Sequence, residues 1–575
     1  MDGKEFTVSE VIDALGINGH TWLMFVLLGL ANIFDGYDFM VINVTNSYVA
    51  ATFWPDAFQV NAAGKMALQP QYSALMGSLT TWGLLGMVLG GATGGILSDR
   101  IGRKKMLTIA VLFYGVFTLP QAFANDVYFF AAFRLIAGFG VGSCIPVVTT
   151  CFSETIPSQH RGVFVTFGMA FMVAGWVLAG LIGNPIASNP VSMIPGFTDG
   201  SVVTAASLRP DGTTVTFCEN WRLCYLIGAL PIIYGIALFF LMRETPHWFA
   251  NSGQKEKACE ALKQLAKSHA EFGEHTFDPN LLVVPPKPAN VGPNVLFSKK
   301  YIVATAAIWT TYFVGQFCVY GMNAWIPTWF QGVGYSAADS TNLQTWNNFA
   351  AILSNISVGF VSDRIGRKKN LAGSWIACIV AIILCSMLVQ PNNMALCVVL
   401  MLLFGFCLNY AITAVQPLMP ESYPTALRNT GVAWCQAFAR FGGSGSSIVL
   451  GAIAAAAMFQ TAEGTTNWSM VVLVLIVPFL LGFICTVLFV RETGGKTMDQ
   501  LAAEATTEDK SDTGTAQFGI MMVVAAILFV LCIVCPLAVN GWAKSDMALP
   551  LMTIGMLLPF VYFFIFATPQ IKNSK

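Results

Sequence analysis

Four charged residues stand out because they lie inside long apolar runs: Asp35, Asp38, Arg134 and Arg440. An ionised side chain in a bilayer costs roughly 2.5–3.5 kcal/mol on insertion scales, so each is a candidate for function. Asp35 and Asp38 sit in Asn32-Ile-Phe-Asp-Gly-Tyr-Asp-Phe-Met, and a spacing of three puts both carboxylates on one helix face. Two acids that close, in a medium of low dielectric, raise each other's proton affinity, which is what a proton carrier needs. A structural ion pair between one of them and Arg134 would also account for the pattern. Arg440 lies in Gln436-Ala-Phe-Ala-Arg-Phe-Gly-Gly-Ser-Gly-Ser. A guanidinium cannot deprotonate, so at this depth it demands an anion. The apolar runs of the second half contain no acid to supply one. That leaves a substrate carboxylate, bound bidentately, or the acid of a distant span. Gly442 to Ser446 would let a ligand or a neighbouring helix approach closely.

Around Arg440 the second half offers an aromatic and amide lining. Tyr312, Gln316, Tyr320 and Asn323 recur at spacings of four, four and three, a single polar stripe on a helix. Gln436 lies one turn before Arg440, and Trp346 with Asn347 and Asn409 with Tyr410 occupy two further spans. An amphipathic ring with a fixed cation suits an organic acid, above all an aromatic one. The aromatic residues also fit the belt that Tyr and Trp form at membrane interfaces.

The elements that hold these residues follow from composition. Of 575 residues 55% are hydrophobic and 10% charged, far too few charges to cover a soluble protein of this size. Runs of apolar residues long enough to cross a bilayer as helices lie near 22–46, 71–97, 106–124, 127–151, 162–186 and 222–242. Others lie near 301–330, 342–361, 371–389, 394–418, 429–457 and 468–490, and two more, 518–539 and 547–568, follow. The fold class expected is an all-α polytopic membrane protein of about fourteen spans. Its domains are a six-helix bundle over 1–242, a cytoplasmic loop over 243–298 and a second six-helix bundle over 299–490. A linker, 491–515, and two additional helices, 516–575, complete it. With the N-terminus inside, only Lys65, Arg209, Arg222 and Lys544 of the 30 Lys and Arg residues fall outside, so both termini are expected in the cytoplasm. The polar first 21 residues are too mixed for a signal peptide.

The two bundles are related by duplication. Ser98 to Lys105 and Ser362 to Lys369 both read Ser-Asp-Arg-Ile-Gly-Arg-Lys-Lys. Glu154-x-x-Pro-x-x-x-Arg161 and Glu421-x-x-Pro-x-x-x-Arg428 follow at matching offsets, and Arg-Glu-Thr recurs at 243–245 and 491–493. A parallel repeat of this kind is typical of transporters that rock about a central site. Asp99 and Asp363 could accept hydrogen bonds from a helix N-terminus, and Arg103 and Arg367 could pair with Glu154 and Glu421. Contacts of that sort, with Arg161 and Arg428 beside them, would hold one conformation and break in another, a conformational gate. Simple anchoring by positive charge on the inner face is the alternative.

These motifs carry a resemblance. Gly95-Ile-Leu-Ser-Asp-Arg-Ile-Gly-Arg-Lys-Lys resembles the loop motif of the major facilitator superfamily, and Arg134-x-x-x-Gly-x-Gly-x-Gly resembles its fourth-span signature. Asp35-Gly-Tyr-Asp38, Ala324-Trp-Ile-Pro-Thr-Trp329 and Ala439-Arg440-Phe-Gly resemble segments of the aromatic acid:proton symporters within it. The resemblance implies the major facilitator fold, proton roles for Asp35 and Asp38, and anion roles for Arg134 and Arg440. It spans residues 20 to about 500; the last two helices and the long 187–220 loop depart from the usual pattern.

Other classes fit less well. The fifth span, Gly175-Trp-Val-Leu-Ala-Gly-Leu-Ile-Gly-Asn-Pro185, lacks the Gly-Pro pair of drug/proton antiporters, and the seventh has no acid, against a phosphate symporter. Zero net charge without a basic stripe gives no footprint for nucleic acid. The 14 cysteines show no C-x-x-C pair, and no span contains His, so neither a metal centre nor an enzyme is expected. The function expected is proton-coupled uptake of a small organic anion by a monomer in the cell membrane. No cofactor is expected beyond the proton gradient.

Overall fold

The computed structural model describes residues 5–60, 66–157, 161–189, 193, 202–208, 214–266, 277–284, 295–296, 298, 301–391, 393–423, 425–461 and 466–493. The linker 494–515 and the two additional helices expected over 516–575 lie outside the described residues. The chain forms two compact units, Met1–Ile42 with Gly86–Ile186 and Trp221–Lys287, and Asn43–Leu85 with Ala187–Asn220 and Pro288–Lys575. The division thus cuts through two long helices rather than falling at the middle of the sequence.

The first unit opens with α1 (Val8–Leu15), which is capped by Thr7 and Glu10 in reciprocal hydrogen bonds to each other's backbone. The long helices α2 (Gly19–Phe53) and α3 (Pro70–Ile101) give it their residues up to Ile42 and from Gly86. It continues with α4 (Arg103–Thr118), α5 (Val127–Thr155), whose N-terminus Asp126 caps, and α6 (Arg161–Ala187). The sixth span is broken into α7 (Trp221–Ile227) and α8 (Pro231–Leu241), with Pro231 at the first position of the new helix. Two short helices, α9 (Pro246–Asn251) and α10 (Lys255–Ala266), follow it. They pack against α1 around Val11, Ile12, Leu15, Cys259 and Leu262, a small core separate from the spans. The first 21 residues, polar on the whole, thus contain a docked helix, and Thr7-x-x-Glu10 before Val11, Ile12 and Leu15 is its start signature.

The second unit holds α11 (Ile302–Val333), α12 (Ala337–Ile365), α13 (Arg367–Leu388), α14 (Met394–Val415), the turn α15 (Leu418–Glu421) and α16 (Thr425–Ala455). Its last span is broken into α17 (Trp468–Leu473) and α18 (Ile476–Phe489). Two hairpins lie outside the spans: β1 (Phe58–Val60) with β2 (Met66–Leu68), and β3 (Val202–Leu208) with β4 (Thr214–Cys218), both antiparallel. The second of them builds part of the long loop expected over 187–220.

Among the described residues, ten helical segments are long and apolar enough to cross a membrane. The spans expected at 342–361 and 429–457 form the 29-residue α12 and 31-residue α16, long enough at ~1.5 Å per residue but too polar to pass on composition. In α12 the cause is visible. Gln344, Asn347, Asn348 and Ser354 are buried, whereas Phe349, Leu353 and Phe360 are exposed. This helix is inverted relative to a soluble one, with its polar face inward and its apolar face available to lipid.

The α1 core generates a direct test. Val11→Asp should undock α1 and expose Cys259, which is 5% accessible in the intact protein. Maleimide labelling read by mass spectrometry should detect modified Cys259 in the variant and little in the parent.

Candidate functional site

In the first unit the site begins with a close approach of two helices. Gly36 of α2 and Gly175 of α6 face each other, and a Cβ on Gly36 would overlap the Met172 carbonyl. This contact seats Asp35 and Asp38 on α2 within the bundle, where they are 1% and 3% exposed. Arg134, from the middle of α5, meets Asp38: Nη1 lies 3.3 Å from Oδ2, and Nη2 donates to the Asp38 carbonyl at 2.7 Å. The Thr118 hydroxyl donates to the other Asp38 oxygen at 2.8 Å, and the Tyr225 ring centre lies 6.0 Å from the guanidinium. The groups that support this buried pair come from three helices, although Arg134 Nε finds no hydrogen-bond partner among the described residues. Arg134 therefore has its charge matched within the protein. The ion pair weighed as the alternative for one of the two acids is the one this structure contains, between Arg134 and Asp38.

Asp35 occupies different surroundings. It lies beside the Cys144 thiol, with the hydroxyls of Tyr114 and Tyr234 in electrostatic reach. Tyr114 lies in electrostatic reach of both acids, while the ion pair with Arg134 is made by Asp38 and the Cys144 thiol stands beside Asp35.

In the second unit Arg440 lies half-buried on α16, in electrostatic reach of Tyr312 and Tyr320 on α11. The helices meet closely because Gly442 and Gly443 sit at the contact: a Cβ on Gly443 would stand 2.7 Å from the Tyr320 ring. Phe438 packs on Trp309 at 5.3 Å and on Phe313 at 5.4 Å, giving the seam an aromatic wall. Gln316 and Asn323 are buried on the same α11 stripe, and Gln436 is half-buried one turn before Arg440. Neither α11 nor α16 contains an Asp or Glu. A fixed cation flanked by aromatic rings and amides can bind a carboxylate and stack a ring.

Two predicted lining residues lie elsewhere. Trp346 is 43% exposed and packs on Phe349, while its neighbour Asn347 is the buried one. Adjacent residues of a helix point about 100° apart, and Trp346 falls on the exposed side of α12 while Asn347 falls on the buried side. Tyr410 is buried, but its hydroxyl donates to Asn370 at 2.8 Å, which ties α14 to the start of α13.

The repeated loops build the same latch twice. Arg103 pairs with Asp99 at 2.6 Å and with Glu154 at 3.0 Å, and Thr245 donates to the second Glu154 oxygen at 2.6 Å. In the other unit Arg367 pairs with Glu421 at 2.8 Å, and Thr493 donates to Glu421 at 2.6 Å. The acceptor at the helix N-terminus differs from expectation. Glu244 receives the Arg103 N–H at 2.8 Å, and Glu492 receives the Arg367 N–H at 2.8 Å, at the starts of α4 and α13. Asp99 is 71% exposed at its side chain and serves Arg103 instead. The glycines before these helices, Gly102 and Gly366, have φ of 107° and 96° and leave room for the glutamate oxygens. The recurrence of Arg-Glu-Thr is the sequence signal for Glu244 and Glu492. The side chains of Arg161, Asp363 and Arg428 lie outside the described residues. Among the described residues no group of three His, Cys, Asp or Glu could hold a metal ion.

The model of the Major Facilitator Superfamily matches residues 28–447 and 344–571. A gallate transporter of Pseudomonas putida is 29% identical over 450 residues, covering 78% of this chain and 88% of its own. The 4-hydroxybenzoate transporter PcaK of Acinetobacter baylyi is 28% identical over 482 residues, covering 81% and 91%. The niacin transporter NiaP of the same organism is 28% identical over 439 residues, covering 76% and 88%. Among solved structures, the proton:xylose symporter XylE bound to 6-bromo-6-deoxy-D-glucose superposes with a TM-score of 0.60 at 18% identity, over 85% of this chain and all of that one.

The Asp38–Arg134 pair sets a quantitative expectation. Asp38→Asn strands a buried guanidinium and should cost about 3–5 kcal/mol, seen as a lower thermal midpoint in detergent. The double variant Asp38→Asn/Arg134→Gln should recover much of that loss. In the latch, Glu244→Ala leaves the α4 N-terminus without its acceptor and should cost about 1–2 kcal/mol by the same measurement.

Proposed function

The chain belongs to the major facilitator superfamily and is a multi-pass membrane transporter rather than an enzyme; on that premise we propose that it takes up a small, preferably aromatic, organic carboxylate together with protons. The observation that carries this reading is Arg440: a half-buried cation in electrostatic reach of Tyr312 and Tyr320, on a seam walled by Trp309, Phe313 and Phe438. A substrate carboxylate complements that charge, and the rings of the seam stack its hydrophobic body. The gallate and 4-hydroxybenzoate transporters among the relatives support the same class of cargo.

Proton coupling rests on the first unit. Asp38 holds Arg134, and Asp35, with Tyr114, Cys144 and Tyr234 around it, is the acid that exchanges its proton during the cycle. Neutralising Asp35 removes a buried negative charge and lowers the cost of moving α2 through the cycle. Alternating access then releases the proton and the anion on the inner side. The paired latches favour one state, because each joins the loop after a span to the end of two others through charge-assisted bonds.

Proteoliposomes given an inward proton gradient should accumulate a radiolabelled aromatic carboxylate, and a protonophore should abolish that accumulation. Uptake indifferent to the protonophore rejects symport. Asp35→Asn should lose gradient-driven accumulation but retain exchange of labelled for unlabelled substrate. Arg440→Ala should weaken binding on the order of 30-fold or more, as removal of a buried charge partner does.

A further inference from the structure

The first unit contains a cavity that plays no part in the transport site. Its volume is about 410 Å³, within the roughly 300–1,000 Å³ of small-molecule sites, and it lies between the ends of the spans and the small α1–α10 core. Ile12 and Leu15 of α1, Met24 of α2 and Phe249 of α9 give it an apolar side, and Lys104, Arg243 and Lys257 give it cations. Gln264 accepts from Arg243 Nη1 at 2.8 Å, which holds the guanidinium against α10. Acids line the same walls, but two of them are committed to the latch. Glu154 meets Arg103 with one oxygen and accepts from Thr245 with the other, and Glu244 accepts from the backbone N–H groups of Arg103 and Lys104. Glu260 is the remaining acid of the lining, so positive charge is in excess. Lys257, Glu260 and Gln264 are exposed on α10, a helix outside the spans, so this side of the cavity meets water.

Cations gathered beside apolar side chains are complemented by an anion with a compact apolar body. An inorganic anion leaves the apolar side unmatched, and a neutral apolar molecule leaves the mutual repulsion of the cations unrelieved. We propose that this cavity is a second binding site, in the other unit from Arg440, for a small soluble organic anion. Its acidic group lies among Arg243, Lys104 and Lys257, and its apolar body lies against Ile12, Leu15 and Phe249. The walls come from α1, α2, α4, α5, α9 and α10, and Glu154, Glu244 and Thr245 belong both to them and to the latch. An occupant therefore ties the α1–α10 core to the latch and acts as an effector. The site does not depend on which cargo the spans carry.

The test is hydrogen exchange, read by mass spectrometry on the purified full-length protein in detergent. Benzoate and hexanoate should slow exchange in peptides spanning 8–15 and 255–266, and the neutral benzamide and hexanamide should not. Inorganic phosphate, a charge without an apolar body, should need a concentration on the order of tenfold higher for the same protection. Arg243→Gln and Lys257→Gln, both at exposed positions, should each raise the half-saturating benzoate concentration on the order of tenfold. Arg440→Ala should leave the protection as in the parent, which separates this site from the transport site. Equal protection by acid and amide overturns the inference, and so does protection that is unchanged in both Arg243→Gln and Lys257→Gln. These two results decide the matter whether or not Arg440→Ala folds. Protection that disappears in a folded Arg440→Ala variant reports the transport site and overturns the inference. Protection by anionic lipid in nanodiscs, with no response to the soluble acids, assigns the cavity to lipid and overturns it as well.

Discussion

A charge held away from water must be met by another, and in the first unit that requirement organises everything near the Asp38–Arg134 pair. The aspartate comes from α2, the arginine from α5 and the supporting hydroxyl from α4, so three helices must keep register for one interaction to persist. The glycine contact between α2 and α6 serves the same end by fixing how deep α2 sits. Tyr37, between the two acids in sequence, donates to the Cys224 carbonyl and ties α2 to α7 as well. Losing any of these would not merely loosen a helix. It would leave a guanidinium or a carboxylate unpaired in a medium that barely screens it.

The duplication reaches the atoms of the latches and stops there. Arginine, glutamate, threonine and the second glutamate repeat with the same donors and acceptors in both units. Inside the spans the two units diverge. One pairs Asp38 of α2 with an arginine; the other places an arginine on α16 against aromatic rings. On the function proposed above, the shared parts serve motion and the parts that differ serve the cargo.

How much of this was legible in the sequence depended on the kind of signal. Long apolar runs gave the helices, and the octapeptide repeat gave the pairing of the latches, because both patterns are local. Arg440 and the α11 stripe were legible because a charge or an amide in an apolar run has few benign explanations. The helix that would use a residue was not. Trp346 and Tyr410 have the right chemistry, yet one faces outward and the other is spent on Asn370. The choice of Glu244 over Asp99 for the α4 N-terminus was hidden too, since it depends on a contact between residues 141 apart.

The inverted face of α12 bears on how the protein is made. A segment carrying Gln344, Asn347, Asn348 and Asn355 along one side partitions poorly into lipid by itself. Part of its polar side is bonded by α11 and α14: Gln344 donates to the α11 backbone, and Asn355 accepts from Thr413 of α14 at 2.6 Å. The strongly apolar α13 and α14 are synthesised after it. On these contacts α12 is held in the bilayer by its neighbours as much as by its own apolar face, so its insertion depends on helices on both sides of it in sequence.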